Sequence, residues 1–179
     1  MLRAAAAEIG WNSEPVPARW PAGDGHAGDG IALGMEKGGR VATAARVHVA
    51  ADGTLRVLRL VTAVDCGAIV HPDGLINQVE GAVMMGLGGA LFEAIDFAGG
   101  RILNAGLSSY RVPRLADLPD VTVVLVDRPD QPSAGGGEAP IIAVAPSIGN
   151  AIYRACGVRL RSMPLAPSGR VPHPDGAAR

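Results

Sequence analysis

The chain has 179 residues, enough for about one domain with a real core, and carries a formal net charge of −1 with only 18% charged residues. That balance gives no electrostatic case for nucleic acid or for an anionic membrane surface as partner. Its 25 Gly and 14 Pro against 3% aromatics point to a core of Val, Leu, Ile and Ala joined by many loops.

Two cysteines, Cys66 and Cys156, stand far apart and outside any CxxC pair, so zinc or iron–sulfur ligation from within the chain is not expected and both read as reduced, structural thiols. His26, His48 and His173 share no spacing that would build a metal centre. The opening residues Met1 to Glu8 reach a charge before any long apolar run, unlike a secretory signal. Gly81 to Phe92 is uncharged but well short of the roughly 20 residues that a membrane helix needs. A soluble, cytoplasmic protein is the expectation.

In chain order, Leu2 to Ile9 reads as the end of a helix stopped by Gly10, its uncapped start at Met1 being what a chain beginning inside a larger fold would show. Residues 11–30 are rich in Pro, Gly and Asp without periodicity and read as loop. Ile31 to Gly34 and Thr43 to Ala50 read as strands, and Asp52-Gly53 is a hairpin signal leading into Leu55 to Val64. The nearly continuous apolar run of that last strand predicts a central position. Asp65 is placed to cap the turn that follows, and His71 to cap or pack the entry of a long helix running to about Glu93. Within it Gly74, Gly81 and Gly88 recur every seven residues, with Ala82, Gly86, Gly89 and Ala90 as a second small stripe. Each interior glycine costs roughly 1 kcal/mol relative to Ala, so a neighbouring element or a ligand is expected to approach closely.

A small hairpin is predicted from Ile95–Phe97 and Arg101–Leu103, an irregular stretch at Arg111 to Leu115, and a strand from Val121 to Val126. Arg128 to Gly137 reads as loop and Ile141 to Ala155 as helix, with Pro146 marking a helix start. Arg159 to Met163 reads as a last short strand, and residues 164–179 as a disordered tail after a domain spanning 1–163.

Ser133-Ala-Gly-Gly-Gly-Glu138-Ala-Pro140 is the strongest candidate site. Gly135, Gly136 and Gly137 tolerate positive φ and let backbone amides face a ligand. A carboxylate at Glu138, walled by backbone, would be poorly solvated, with its pKa raised towards the range of a general base. On local signal alone an ordinary solvated turn is the commoner reading of such a run, with a phosphate cradle at a helix N-terminus as a weaker alternative.

The ordered set of Gly30-Ile-Ala-Leu-Gly34, Val64-Asp-Cys-Gly67, Asn77-Gln-Val-Glu-Gly81, Gly86-Leu-Gly88, Tyr110-Arg-Val-Pro113, Gly135-Gly-Gly-Glu-Ala-Pro140, Ala145-Pro146 and Asn150-Ala-Ile152 decides among these. The chain resembles the C-terminal part of the molybdopterin-binding large subunit of the xanthine dehydrogenase/aldehyde oxidase family. The resemblance implies an α+β fold, helices on a mixed and mostly antiparallel sheet, forming the second half of a molybdenum cofactor-binding domain. It implies Glu138 as the catalytic base, with Gln78, Gly136 and Gly137 lying against molybdopterin, as such or as a dinucleotide, and no metal ligand from this chain. Met85 stands where some members carry a Gln, so no polar contact is assigned there.

The activity so implied is oxidation of an aldehyde or an N-heterocycle with oxygen drawn from water. Iron–sulfur clusters and flavin would reside on partner chains or domains, and the N-terminal half of the large subunit would supply the remaining cofactor contacts. The isolated chain is then expected to be inactive, with apolar surface left open. Tyr110 and Arg111 could border the substrate channel, whereas Glu80 reads as a solvated charge. The alternative is a non-catalytic or degenerate fragment acting only as an assembly or cofactor-binding module.

Overall fold

The computed structural model describes residues 1–11 and 19–172. Its elements are α1 (Leu2–Ile9), β1 (Arg19–Ala22), β2 (Gly25–Glu36), β3 (Gly39–Ala50), β4 (Leu55–Asp65), α2 (Pro72–Leu91), β5 (Phe97–Ala98), β6 (Arg101–Ile102), β7 (Asp120–Leu125) and α3 (Val144–Cys156). The main sheet runs in the order β1-β2-β3-β4-β7. Three pairings are antiparallel and β4 with β7 is parallel, the mixed and mostly antiparallel sheet expected of an α+β fold.

Three layers explain the apolar run of β4. Leu60 and Val64 face α2 and α3, where they join Val79, Val83, Leu87, Ile148 and Ile152 in the main core. Val61 and Ala63 face the other way, onto Ala5 and Ile9 of α1. A strand covered on both faces has no polar side to show. The first half of β4 is covered less and alternates in burial, with Leu58 skipped by a bulge between Arg46 and Val47 of its neighbour. Across the covered half, Thr43 and Thr62 share a buried hydroxyl hydrogen bond of 3.1 Å, which satisfies both.

The stretch 11–30 is a correction. Residues 12–18 lie outside the described residues, but β1 and the first half of β2 fall inside the segment read as loop. The strand signal is missing for a packing reason. A Cβ on Gly30 would lie 2.2 Å from both Ala151 N and Ser147 O, and one on Gly28 would lie 2.5 Å from Ala155 N. Helix α3 therefore rests directly on the backbone of β2, and two core-facing positions that would ordinarily hold Val or Ile hold glycine. Beside them Asp29, buried, takes a two-pronged ion pair from Arg46 at 2.8 Å on each arm, while Arg46 also donates to Ile9 O at 2.9 Å. That arginine ties the end of α1, closed by left-handed Gly10, to the sheet.

Two C-terminal expectations also change. Residues 159–163 form no strand; Arg159 lies over the Tyr153 ring at 3.7 Å and donates to Asn150 Oδ1 at 2.8 Å. Residues 164–172 are packed rather than loose, with Leu165, Ala166 and Val171 buried. Leu165 N donates to Ala90 O at 2.7 Å and Val171 N to Gly53 O at 2.9 Å, so this segment staples the end of α2 to the β3–β4 hairpin. Its three buried apolar residues follow no helix or strand period, so the sequence registers no element there. Residues 173–179 lie outside the described residues.

Candidate cofactor site

The site is assembled from three pieces of chain. The first is α2, opened by Pro72 at its first turn and by His71, whose Nδ1 accepts the Gly74 N–H at 2.8 Å, as expected of a cap. The second is the segment after β7, zipped to the end of β4: Arg128 N donates to Gly67 O at 3.2 Å, Ala68 N to Gln131 O at 3.2 Å, and Ala134 N to Cys66 O at 2.6 Å. Asp65 accepts from Gly67 N at 3.1 Å, capping its turn as expected. Gly67 has φ 78°, and a Cβ there would sit 2.1 Å from Pro132 O. The third piece is the β2–β3 hairpin tip, whose Lys37 and Gly38 are both left-handed, with φ 47° and 85°.

The glycine run lies where these pieces meet. A Cβ on Gly136 would come 2.4 Å from Leu75 Cδ1 of α2, and one on Gly137 would come 3.6 Å from the Gln78 amide nitrogen. Gln78 and Glu138, 60 residues apart in sequence, are thereby flanked by one glycine. None of Gly135, Gly136 and Gly137 is among the left-handed glycines. What the run uses is the missing side chain, which lets the loop lie against α2, rather than an unusual φ.

Glu138 itself corrects the expectation of a poorly solvated carboxyl with a raised pKa. Its side chain is 68% exposed and pairs with the Lys37 ammonium, itself 69% exposed. Hydrogen bonding from Lys37, reinforced by its charge, pulls the Glu138 carboxyl below the ordinary glutamate range and raises the lysine in turn. Lys37 escaped the sequence reading, although Glu36-Lys37-Gly38-Gly39 between two strands is the composition of a tight turn.

The glycines of α2 divide into two groups. Gly74 makes room for the His71 cap, Gly86 for Val144 Cγ2, which a Cβ would meet at 2.9 Å, and Gly88 for Glu93 and Pro113. Those three serve packing within the chain. Gly81 and Gly89 have nothing within 4 Å of a built Cβ. Gly81 stands one turn after Gln78 and one before exposed Met85, so Gln78, Gly81 and Met85 form an open strip along α2. An amide, a bare helix surface and glycine backbone suit a flat ligand rich in oxygen acceptors, and the donor chemistry fits molybdopterin.

Other candidates fall elsewhere. Tyr110 donates to Glu93 at 3.1 Å and Arg111 covers the Phe92 ring at 4.0 Å, both at the C-terminal end of α2. At 1.5 Å per residue that end is about 20 Å from Gln78. Glu80 is exposed. Cys66 is buried, and burial raises its thiol pKa. Among the described residues no group of three or more His, Cys, Asp or Glu is placed to hold a metal ion, and no helix is long and apolar enough to cross a membrane. Among the described residues, hollows of about 470 and 430 Å³ lie near His26 and beside the start of α3, and the hairpin tip carrying Lys37 lines one of about 290 Å³.

A family model described as molybdopterin cofactor-binding domain matches residues 7–119. The chain belongs to this family. The matched span holds Gln78 and ends before the Gly135–Glu138 loop. The cofactor of the domain is molybdopterin. Isoquinoline 1-oxidoreductase subunit beta of Brevundimonas diminuta is 34% identical over 154 residues, 83% of this chain and 20% of that protein. A membrane-bound aldehyde dehydrogenase of Gluconacetobacter polyoxogenes, whose name specifies pyrroloquinoline quinone, is 39% identical over 125 residues, 69% of this chain and 16% of that protein. The crystal structure of the aldehyde oxidoreductase from Desulfovibrio desulfuricans ATCC 27774 is similar to this molybdopterin-binding domain with a TM-score of 0.64 and 29% identity, over 73% of this chain and 15% of that one. The chain therefore spans a fifth or less of the length of the relatives it matches.

Proposed function

We propose that this chain forms the second half of the cofactor domain of a molybdenum hydroxylase that oxidises aldehydes or N-heterocycles with oxygen drawn from water. The observation that carries the reading is the meeting of Gln78 with the Gly137–Glu138 backbone across 60 residues of sequence. Gln78 would hold molybdopterin by its amide, and Gly136 and Gly137 by backbone close to α2. Amide donors facing a polar, charged ligand are satisfied rather than stranded. When bound, the molybdenum cofactor supplies the acceptor for the two electrons taken from substrate and the centre at which water is activated.

Glu138 acts in this scheme as the general base, taking up a proton at a carboxylate oxygen. Like any ordinary glutamate it is ionised at neutral pH, with Lys37 holding its pKa lower still, and so it is able to accept one. Enclosure by the rest of a large subunit would exclude water and push its pKa upward, strengthening it as a base. The remaining cofactor contacts, the iron–sulfur clusters and the flavin belong in this reading to the other parts of a hetero-oligomer.

A second reading, an assembly module without catalysis, draws on the exposure of Glu138 and on the open apolar surface of the chain. Co-expression with the remainder of a large subunit and an iron–sulfur subunit separates the two. Molybdenum content with aldehyde or heterocycle oxidation that falls by about 10²–10⁴-fold in Glu138→Gln fits the base. Full activity in that variant refutes it, and molybdenum loading without any turnover of the parent favours the module.

A further inference from the structure

Lys37 is the non-glycine residue with a left-handed backbone among those described, at φ 47°. A side chain is disfavoured in that conformation, which glycine adopts freely. The turn nevertheless carries a lysine, and its ammonium reaches Glu138, 101 residues further along the chain. The hairpin tip also brackets the base physically. A Cβ on Gly38 would lie 3.5 Å from Ala134 Cβ, and one on Gly39 would lie 3.3 Å from Ala139 Cβ and 3.6 Å from Gly135 O. Contacts thus fall on both sides of Glu138, and the ion pair closes over the residue between them.

We infer that Lys37 is a positioning residue for Glu138: seated on the β2–β3 tip, its ammonium holds the carboxylate in one orientation beside the glycine loop. This role rests on the reading of Glu138 as the base. The other charged groups on the surrounding elements are engaged elsewhere or exposed to solvent. Arg40 pairs with Asp65 at 3.3 Å, Glu36 acts on Lys37 rather than on Glu138, and Asp73 and Glu80 of α2 are exposed. The depressed carboxyl pKa of Glu138 has Lys37 as its source. Because both side chains are largely solvated, the pair contributes little to stability, and its removal leaves the fold standing.

The test compares the full chain with Lys37→Gly and Lys37→Arg. Glycine suits the left-handed turn, so the first variant removes the ammonium without straining the hairpin, while the second keeps a cation. The Glu138 carboxyl is titrated by carbon NMR of glutamate-labelled protein and assigned with Glu138→Gln. The parent is expected to titrate below the free-glutamate value of about 4.3, Lys37→Gly to return towards it, and Lys37→Arg to stay low, with unchanged melting temperatures. In the assembled enzyme the acid limb of kcat/KM should move to higher pH in Lys37→Gly and be restored in Lys37→Arg. A Glu138 titration indifferent to Lys37→Gly overturns the proposal. Full activity of Glu138→Gln, with the titration still dependent on Lys37, instead removes the base reading and the purpose of the lysine with it.

Discussion

Replacing Gly30 by Ala tests the contact on which the position of the candidate site depends. The new Cβ would lie 2.2 Å from Ala151 N and from Ser147 O, where ordinary contact begins at 3.4 Å. Helix α3 must then withdraw by roughly 1 Å, because both obstacles are backbone and no rotamer relieves them. A gap of that size forfeits about a quarter to a half of each dispersion contact it opens. The helix buries Val144, Ile148, Ala151, Ile152 and Ala155, so the loss spreads along its whole inner face. Overpacking ordinarily costs about 1–3 kcal/mol, and this case belongs at about 3 kcal/mol. At about 2–4 °C per kcal/mol for a chain of this length, the melting temperature should fall by about 6–12 °C. Circular dichroism melts of Gly30→Ala are read against Gly149→Ala, on the same helix, where a Cβ meets only Leu165 Cδ1 at 4.0 Å. The control is expected to be neutral or stabilising by up to about 1 kcal/mol. A Gly30→Ala melt within about 2 °C of the parent, or an equal drop in the control, would refute the reasoning.

Gly81→Ala, with open space around the new Cβ, should stabilise the chain by about 0.5–1 kcal/mol in urea unfolding while lowering molybdenum retention in the assembled enzyme; unchanged retention would remove Gly81 from the cofactor strip. Arg46→Met leaves Asp29 buried with its carboxylate unpaired and should cost about 2–3 kcal/mol, less than a fully buried pair because Arg46 is partly exposed; recovery in the Arg46→Met, Asp29→Asn double variant checks the cause. Asp52 accepts from Thr54 N at 2.9 Å, and these bonds hold its pKa below the ordinary value. Its contribution is therefore complete above the unfolded value of about 3.9 and lost as pH falls through the lower folded value; opening measured by hydrogen exchange at Val171 and Leu55, whose amides tie residues 169–171 to this hairpin, should increase in that window in the parent and show no such step in Asp52→Asn. Phe97, Leu107 and Leu115 are 74%, 101% and 89% exposed, so the isolated chain should self-associate in sedimentation, and Phe97→Asp with Leu115→Lys should reduce this without lowering the melting temperature.

Local rules sufficed where sequence and packing speak the same language. His71-Pro72 announced α2, Asp52-Gly53 announced the β3–β4 hairpin, and the apolar run of β4 announced a strand central in its sheet. They failed where tertiary contact replaced side chains by nothing. Gly28 and Gly30 erase the strand pattern of β2 because α3 occupies the space their side chains would fill. The residues proposed to meet the cofactor stand in an ordered set of motifs, and α2 and the loop bring Gln78 beside Gly137. The depressed pKa of Glu138 was not legible in the sequence, since it depends on a lysine 101 residues away that no local spacing connects to it.

The same glycine contact that hides β2 governs where Glu138 stands. Glu138 immediately precedes the 3-10 turn Ala139–Ile141, which leads within a few residues into α3. Upstream, the loop is fixed to the end of β4 through Ala134 N and Cys66 O. Glu138 is therefore held between two anchors on different elements of the main sheet, β4 on one side and β2 through α3 on the other. A shift of α3 by 1 Å has no slack to absorb it, because only a few residues separate the helix from the carboxylate. Misplacement on that scale is enough to cost about 10²-fold in a reaction that depends on geometry. Gly30→Ala in an assembled, cofactor-loaded enzyme should accordingly lower kcat at temperatures well below its melting point, where the fold is intact. An unchanged kcat there would show that Glu138 is placed by the β4 anchor and the hairpin tip alone.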